Sequence, residues 1–155
     1  MKIEDIVNRN NFISLLPEDE KYVVAYLRSM PEDEALDIIL DMVKQKSLIS
    51  LGVAKKVLHK KQLVVQLLEY GFKNTDAQRI NRWLQFGIVK LGARSVIRLI
   101  DELSVSNLKL ADYALYWLPP LIPKKETKTW SYFEIFKSKI EARKTQKQNQ
   151  DLLEK

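Results

Sequence analysis

Residues 17–43 read PEDEKYVVAYLRSMPEDEALDIILDMV. Twice in this stretch a proline precedes three acids, and twice an apolar stripe follows at helical spacing. Val23, Tyr26, Leu27 and Met30 come after Pro17; Leu36, Ile39, Leu40 and Val43 come after Pro31. Proline suits the first helical position because its missing N–H would have no acceptor there, and carboxylates favour the positive end of the helix dipole. Two amphipathic helices in immediate succession point to an all-α fold built from short antiparallel pairs.

The same pattern continues downstream. The spacing predicts a helix over about Leu48 to Lys60, with Leu51, Ala54, Val57 and Leu58 inward, and another over Gln62 to Tyr70 that Gly71 closes. Asn74 or Thr75 is expected to cap a longer helix whose inward face is Ala77, Ile80, Trp83, Leu84, Gly87, Ile88 and Leu91, ended by Gly92. Ala93–Leu103 and Leu108–Leu118 form the next pair, joined through Ser104 to Asn107; Pro119, Pro120 and Pro123 forbid continuation. A last helix is expected from Thr129 or Ser131, and beyond Ala142 the string KTQKQNQ has no apolar stripe. The expectation is one all-α domain over 1–142, capped by a docking helix at about 130–142, then a polar, frayed tail over 143–155.

Composition agrees with that class. Of 155 residues, 46% are hydrophobic and 30% charged, which is globular and unlike a disordered chain. Four glycines and five prolines are too few for the frequent turns of a β-sandwich. There is no cysteine, which excludes disulfides and thiolate metal sites. The N-terminal MKIEDIVNRNN has no continuous apolar segment and carries early acids, unlike a secretory leader, and no apolar run approaches a membrane span. The expected location is the cytoplasm, with no membrane partner.

The strings IILDMV from Ile38, QLLEYG from Gln66 and RLIDEL from Arg98 align, each setting two aliphatics before an acid, at spacings near thirty residues. Over about residues 31–120 the chain therefore resembles the HEAT-like family of α-helical repeats. That resemblance implies stacked antiparallel helix pairs, an α-solenoid in the manner of a HEAT-like superhelix, and a protein-binding scaffold. An irregular helical bundle is the alternative arrangement, because amphipathic helices resemble one another.

Charge is distributed unevenly. Residues 1–43 carry four basic residues against ten acids, whereas residues 44–98 carry twelve basic residues against Glu69 and Asp76 alone. A segment so one-sided repels itself unless its cations spread out, meet internal acids or face a partner. Arg79, Arg82, Phe86 and Lys90 follow at helical spacing; Lys55, Lys56 and Lys60 lie on the preceding second-of-pair helix; Arg94 and Arg98 stand four apart on the next. Stacking would bring these residues together as a basic face with an aromatic in it. Alternatively, they coat a solvated face that the acidic N-terminal helices neutralise.

As a binding face these cations suit carboxylates or phosphates, with arginines offering bidentate contacts. An acidic protein partner is the first expectation, and nucleic acid gripped by its backbone is the second. Some helical-repeat proteins similar to this one, DNA glycosylases among them, carry nucleic acid on a basic concave face. Trp130, Phe133, Phe136 and Ile140 form a further candidate surface, through which the C-terminal helix docks onto the preceding helices or meets another chain.

Signals of chemistry are sparse. His59 is the only histidine and sits among lysines, which excludes multi-histidine metal sites and the usual triads. No glycine-rich phosphate loop exists. Asp37 with Asp41, and Asp101 with Glu102, are paired carboxylates of the kind that also decorate solvated helix faces. The expectation is a non-enzymatic protein with no cofactor and no metal; an enzyme using one buried carboxylate is a third, less favoured reading.

Overall fold

The computed structural model describes residues 2–154. Among these, every regular element is helical: α1 (Ile3–Asn8), α2 (Glu20–Arg28), α3 (Glu32–Lys44), α4 (Ser50–Val57), α5 (Lys61–Asn74), α6 (Ile80–Leu91), α7 (Ala93–Ser104), α8 (Leu108–Trp117) and α9 (Thr127–Leu153). Single 3-10 turns at Pro17–Asp19 and Pro119–Leu121 lie where prolines cluster. The fold is all-α, and no described helix is long and apolar enough to cross a membrane. The described residues form two compact units that divide between Leu68 and Glu69.

In the first unit, α2 packs on α1, α3 and α4, and α3 packs on α4. Val23, Val24 and Leu27 of α2 meet the same interior that buries Leu36, Ile39 and Met42 of α3 and Val53, Ala54 and Val57 of α4. The two proline–acid starts form as the residues dictate. Pro17 opens the turn into α2, where the Asp19 carboxylate accepts the Leu16 amide at 2.8 Å, and Pro31 immediately precedes α3. Helix α1 has no counterpart in the periodicity analysis. Its C-terminus and that of α3 close through left-handed residues, Asn10 at φ 50° and Lys46 at φ 59°. Gln45 ties the two ends together, accepting from the Phe12 amide at 2.8 Å and donating to the Asn10 carbonyl at 2.7 Å.

The helix expected over Leu48–Lys60 is shorter, because Glu32 intervenes. Its carboxylate accepts the amides of His59 at 3.2 Å and Lys60 at 3.0 Å, holding them out of α4 and presenting Lys60 at the start of α5. Burial raises the Glu32 pKa, but those two hydrogen bonds, aided by the charges of His59 and Lys60, outweigh it and leave the pKa below the ordinary carboxylate value.

In the second unit, α6 packs on α7 and α8, α7 on α8, and α9 on both α7 and α8. Gly71 does not end α5, which continues to Asn74. The glycine serves packing instead: a Cβ there would enter the Trp83 ring, so the indole of α6 lies flush on the α5 backbone. The cap of the following segment is Asp76 rather than Asn74 or Thr75. Its Oδ1 accepts the amides of Gln78 at 3.0 Å and Arg79 at 2.9 Å, closing the turn that leads into α6 at Ile80. Gly92, at φ 86°, both ends α6 and starts α7, a conformation that suits glycine. Asn107 caps α8, its Oδ1 accepting the Leu110 amide at 3.2 Å.

Helix α9 buries Phe133, Phe136 and Ile140, while Trp130 is half-buried with its indole N–H donating to the Pro123 carbonyl at 3.1 Å. Polar contacts extend the docking. Arg143 forms an ion pair with Asp101 at 2.9 Å and donates to the Ser104 hydroxyl at 2.9 Å; Lys139 reaches Asp101 at 3.3 Å, and Lys144 pairs with Asp112. The helix runs on to Leu153, past the Ala142 boundary where a frayed tail is expected. Glutamine, lysine, arginine and glutamate are good helix formers, so no apolar stripe is required for an already nucleated helix to propagate.

Candidate functional site

The central cations do not share one environment. In the first unit, Lys56 lies 3.5 Å from Glu20 and Lys60 lies 3.8 Å from Asp33, so the acidic N-terminal helices engage two members of the lysine cluster. Lys55 is exposed. The Glu20 carboxylate lies over Gly52 of α4, in the space a Cβ would take, and beside Lys56. Arg28 adds a bond from its guanidinium to the Lys56 carbonyl at 3.0 Å.

In the second unit, the stripe Arg79–Arg82–Phe86–Lys90 is broken. Phe86 is only 5% exposed and belongs to the interior rather than to a basic face. The reason is its register: it follows Trp83 by three positions, and together they widen the buried arc of α6. Arg79 falls in the turn before α6, within 3.8 Å of Asp76, while Arg82 is exposed on the helix itself. Lys90 is partly buried near the end of α6.

Arg94 and Arg98 behave differently. With Leu91 to Ser95 and the segment Lys125–Thr129, they line a cleft of about 680 Å³ in the second unit. Lys125 and Lys128 belong to the same lining, so cations from two segments about thirty residues apart face one hollow, with Glu126 the single carboxylate among them. Glu126 is held locally, its Oε2 accepting the Thr129 hydroxyl at 3.0 Å. Gly92 and the first turns of α7 and α9 border the cleft. First-turn amides lack intrahelical acceptors and add partial positive charge to that of the side chains.

Arg98 is exposed on α7. Its pKa is held above the ordinary guanidinium value, chiefly by the neighbouring Tyr132 hydroxyl and to a lesser extent by Glu102. Sequence reasoning singled out Arg94 and Arg98 but not Lys125, Lys128 or Tyr132. The available signal was the basic pair Lys124–Lys125 just after the Pro119–Pro123 segment, immediately before a helix start.

The carboxylate pairs have other roles. Asp101 is the counter-ion of Lys139 and Arg143, and Glu102 is exposed. Asp37 is exposed and Asp41 half-buried on α3. His59 is exposed, its backbone amide on Glu32. No group of three or more metal-ligating side chains gathers among the described residues. On α8, Tyr116 is 74% exposed. Trp117 is half-buried; it meets the Tyr116 ring edge-on at 5.1 Å and donates its indole N–H to the Ala77 carbonyl at 3.0 Å.

Comparison with family models, curated proteins and solved structures gave no match to this chain.

Proposed function

We propose that this chain is a non-enzymatic binding module, and that the cleft between the starts of α7 and α9 receives an acidic segment of a partner protein. The observation that carries the reading is the convergence of Arg94, Arg98, Lys125 and Lys128 on one hollow with a single carboxylate among them. Like charges that line one hollow repel one another, and an anionic ligand relieves that cost. Guanidinium groups stay protonated and donate from a rigid fork, which suits binding of carboxylates better than proton transfer. The first-unit lysines at 56 and 60 already have acidic neighbours and contribute less.

A HEAT-like repeat is the structural part of the same proposal. Its support is that the aligned strings fall on α3, α5 and α7, and that each of these helices is followed by a second one, α4, α6 and α8. Backbone binding of nucleic acid is the second reading, favoured by the exposure of Arg79, Arg82, Arg94 and Arg98 within one unit.

The test is fluorescence anisotropy with a labelled glutamate- and aspartate-rich peptide and, separately, a labelled single-stranded oligonucleotide. Changing Arg94→Glu and Arg98→Glu together should weaken peptide binding at least tenfold with an unchanged circular-dichroism melt. A control carrying Lys109→Glu and Lys147→Glu, both exposed and outside the cleft lining, has the same net charge and should bind like the parent. Equal loss in both variants would mean only diffuse electrostatics and would refute the cleft. Oligonucleotide binding tighter than peptide binding, falling steeply with salt, would transfer the assignment to the second reading.

A further inference from the structure

Within the proposed binding role, and resting on it, we infer that the cleft is selective for a phosphate monoester carried on the partner protein, a phosphorylated serine or threonine side chain, over a carboxylate. The hollow is lined by four cations from two segments of the chain, Arg94 and Arg98 on α7 and Lys125 and Lys128 around the start of α9. A carboxylate has one negative charge on two coplanar oxygens, so its acceptor directions lie in one plane and it balances only one of the four cations. A phosphate monoester carries nearly two charges at neutral pH and three acceptor oxygens spread tetrahedrally, so it accepts from donors of both segments at the same time.

Spacing supports the same ligand. Arg94 and Arg98 are four residues apart on α7 and therefore neighbours on one face, a distance that two forks can close on one tetrahedral group. Glu126 sharpens the choice. Its carboxylate sits in the lining and is fixed by Thr129, so a weakly charged acid gains little over it, whereas a dianion outcompetes its repulsion by drawing on all four cations. About 680 Å³ exceeds the volume of a phosphate alone and leaves room for the residues that flank a modified side chain.

The experiment uses the full chain and three peptides identical except at one central position: serine, glutamate or phosphoserine. Affinities come from anisotropy, and sites from amide chemical shifts of Ala93, Arg94, Ser95 and Lys128. The expected result is binding of the phosphoserine peptide at least tenfold tighter than either other peptide, with those four amides shifted. Arg94→Lys with Arg98→Lys keeps the charge but removes the forks, and should reduce the phosphoserine advantage severalfold without unfolding the chain.

Equal affinity for the glutamate and phosphoserine peptides would overturn the inference and leave the acidic-protein reading standing. No binding of any peptide would remove both. Two further probes distinguish the source of the phosphate. Inorganic phosphate displacing the phosphoserine peptide at comparable concentration would overturn the assignment to a modified protein in favour of the free ion. A 5′-phosphorylated oligonucleotide binding tighter than the phosphoserine peptide would overturn it in favour of a nucleic-acid end.

Discussion

Gly71 occupies a helical position in α5, where alanine is ordinarily favoured by about 0.8–1.0 kcal/mol over glycine. At this site the opposite outcome is expected. A Cβ on Gly71 would meet Cε3, Cδ2 and Cζ3 of Trp83, three atoms of one rigid ring, and that indole is itself buried. A flexible side chain would swing away, but a buried indole moves only by shifting α6. Overpacking a filled interior costs about 1–3 kcal/mol, and a three-atom overlap belongs near the upper end of that range. Subtracting the propensity gain leaves Gly71→Ala destabilising by about 2 kcal/mol. For a chain of this size that lowers the melting temperature by about 4–8 °C. Thermal melts followed by circular dichroism and by tryptophan fluorescence would measure it. A double-mutant cycle isolates the cause: in a Trp83→Leu background, Gly71→Ala should be neutral or stabilising by up to about 1 kcal/mol. A rise in melting temperature on Gly71→Ala in the parent chain would refute the reasoning.

Two other perturbations probe the polar framework. Asp101→Ala removes the acid that Arg143 and Lys139 share and leaves Arg143 partly buried without its counter-ion, which should cost about 2 kcal/mol in urea unfolding. Hydrogen exchange should accelerate in the second half of α9, and an unchanged urea midpoint would show that Phe133, Phe136 and Ile140 alone seat the helix. Glu32→Ala should destabilise the first unit at pH 7 in a pH-dependent way. Its folded pKa is lowered, so its contribution is complete above the ordinary value of 4.5 and vanishes as the pH falls through the lower folded value. Melting temperatures of parent and variant measured from pH 7 to pH 3 should therefore converge on acidification; a constant gap would mean that the Glu32 charge is irrelevant.

The sequence by itself determined the helical class and most of the helix positions, because those follow from local physics. Pro17 and Pro31 with their trailing acids, Asn107 before α8, and the apolar spacing of α3, α7 and α8 act over three or four residues and are readable without coordinates. Local rules faltered where a distant group supplied the deciding contact. Glu32 takes the amides of His59 and Lys60 across 27 and 28 positions and ends α4 early, and Trp83 turns Gly71 from a helix terminator into a packing surface. The candidate site was legible only in part for the same reason. Arg94 and Arg98 are visible as a basic pair on one helix face, but only tertiary structure brings Lys125 and Lys128 to the same hollow and consigns Phe86 to the interior. Charge can be counted along a chain, whereas convergence of charge depends on which helices pack together. That is settled by the fit of buried side chains, which linear spacing does not record.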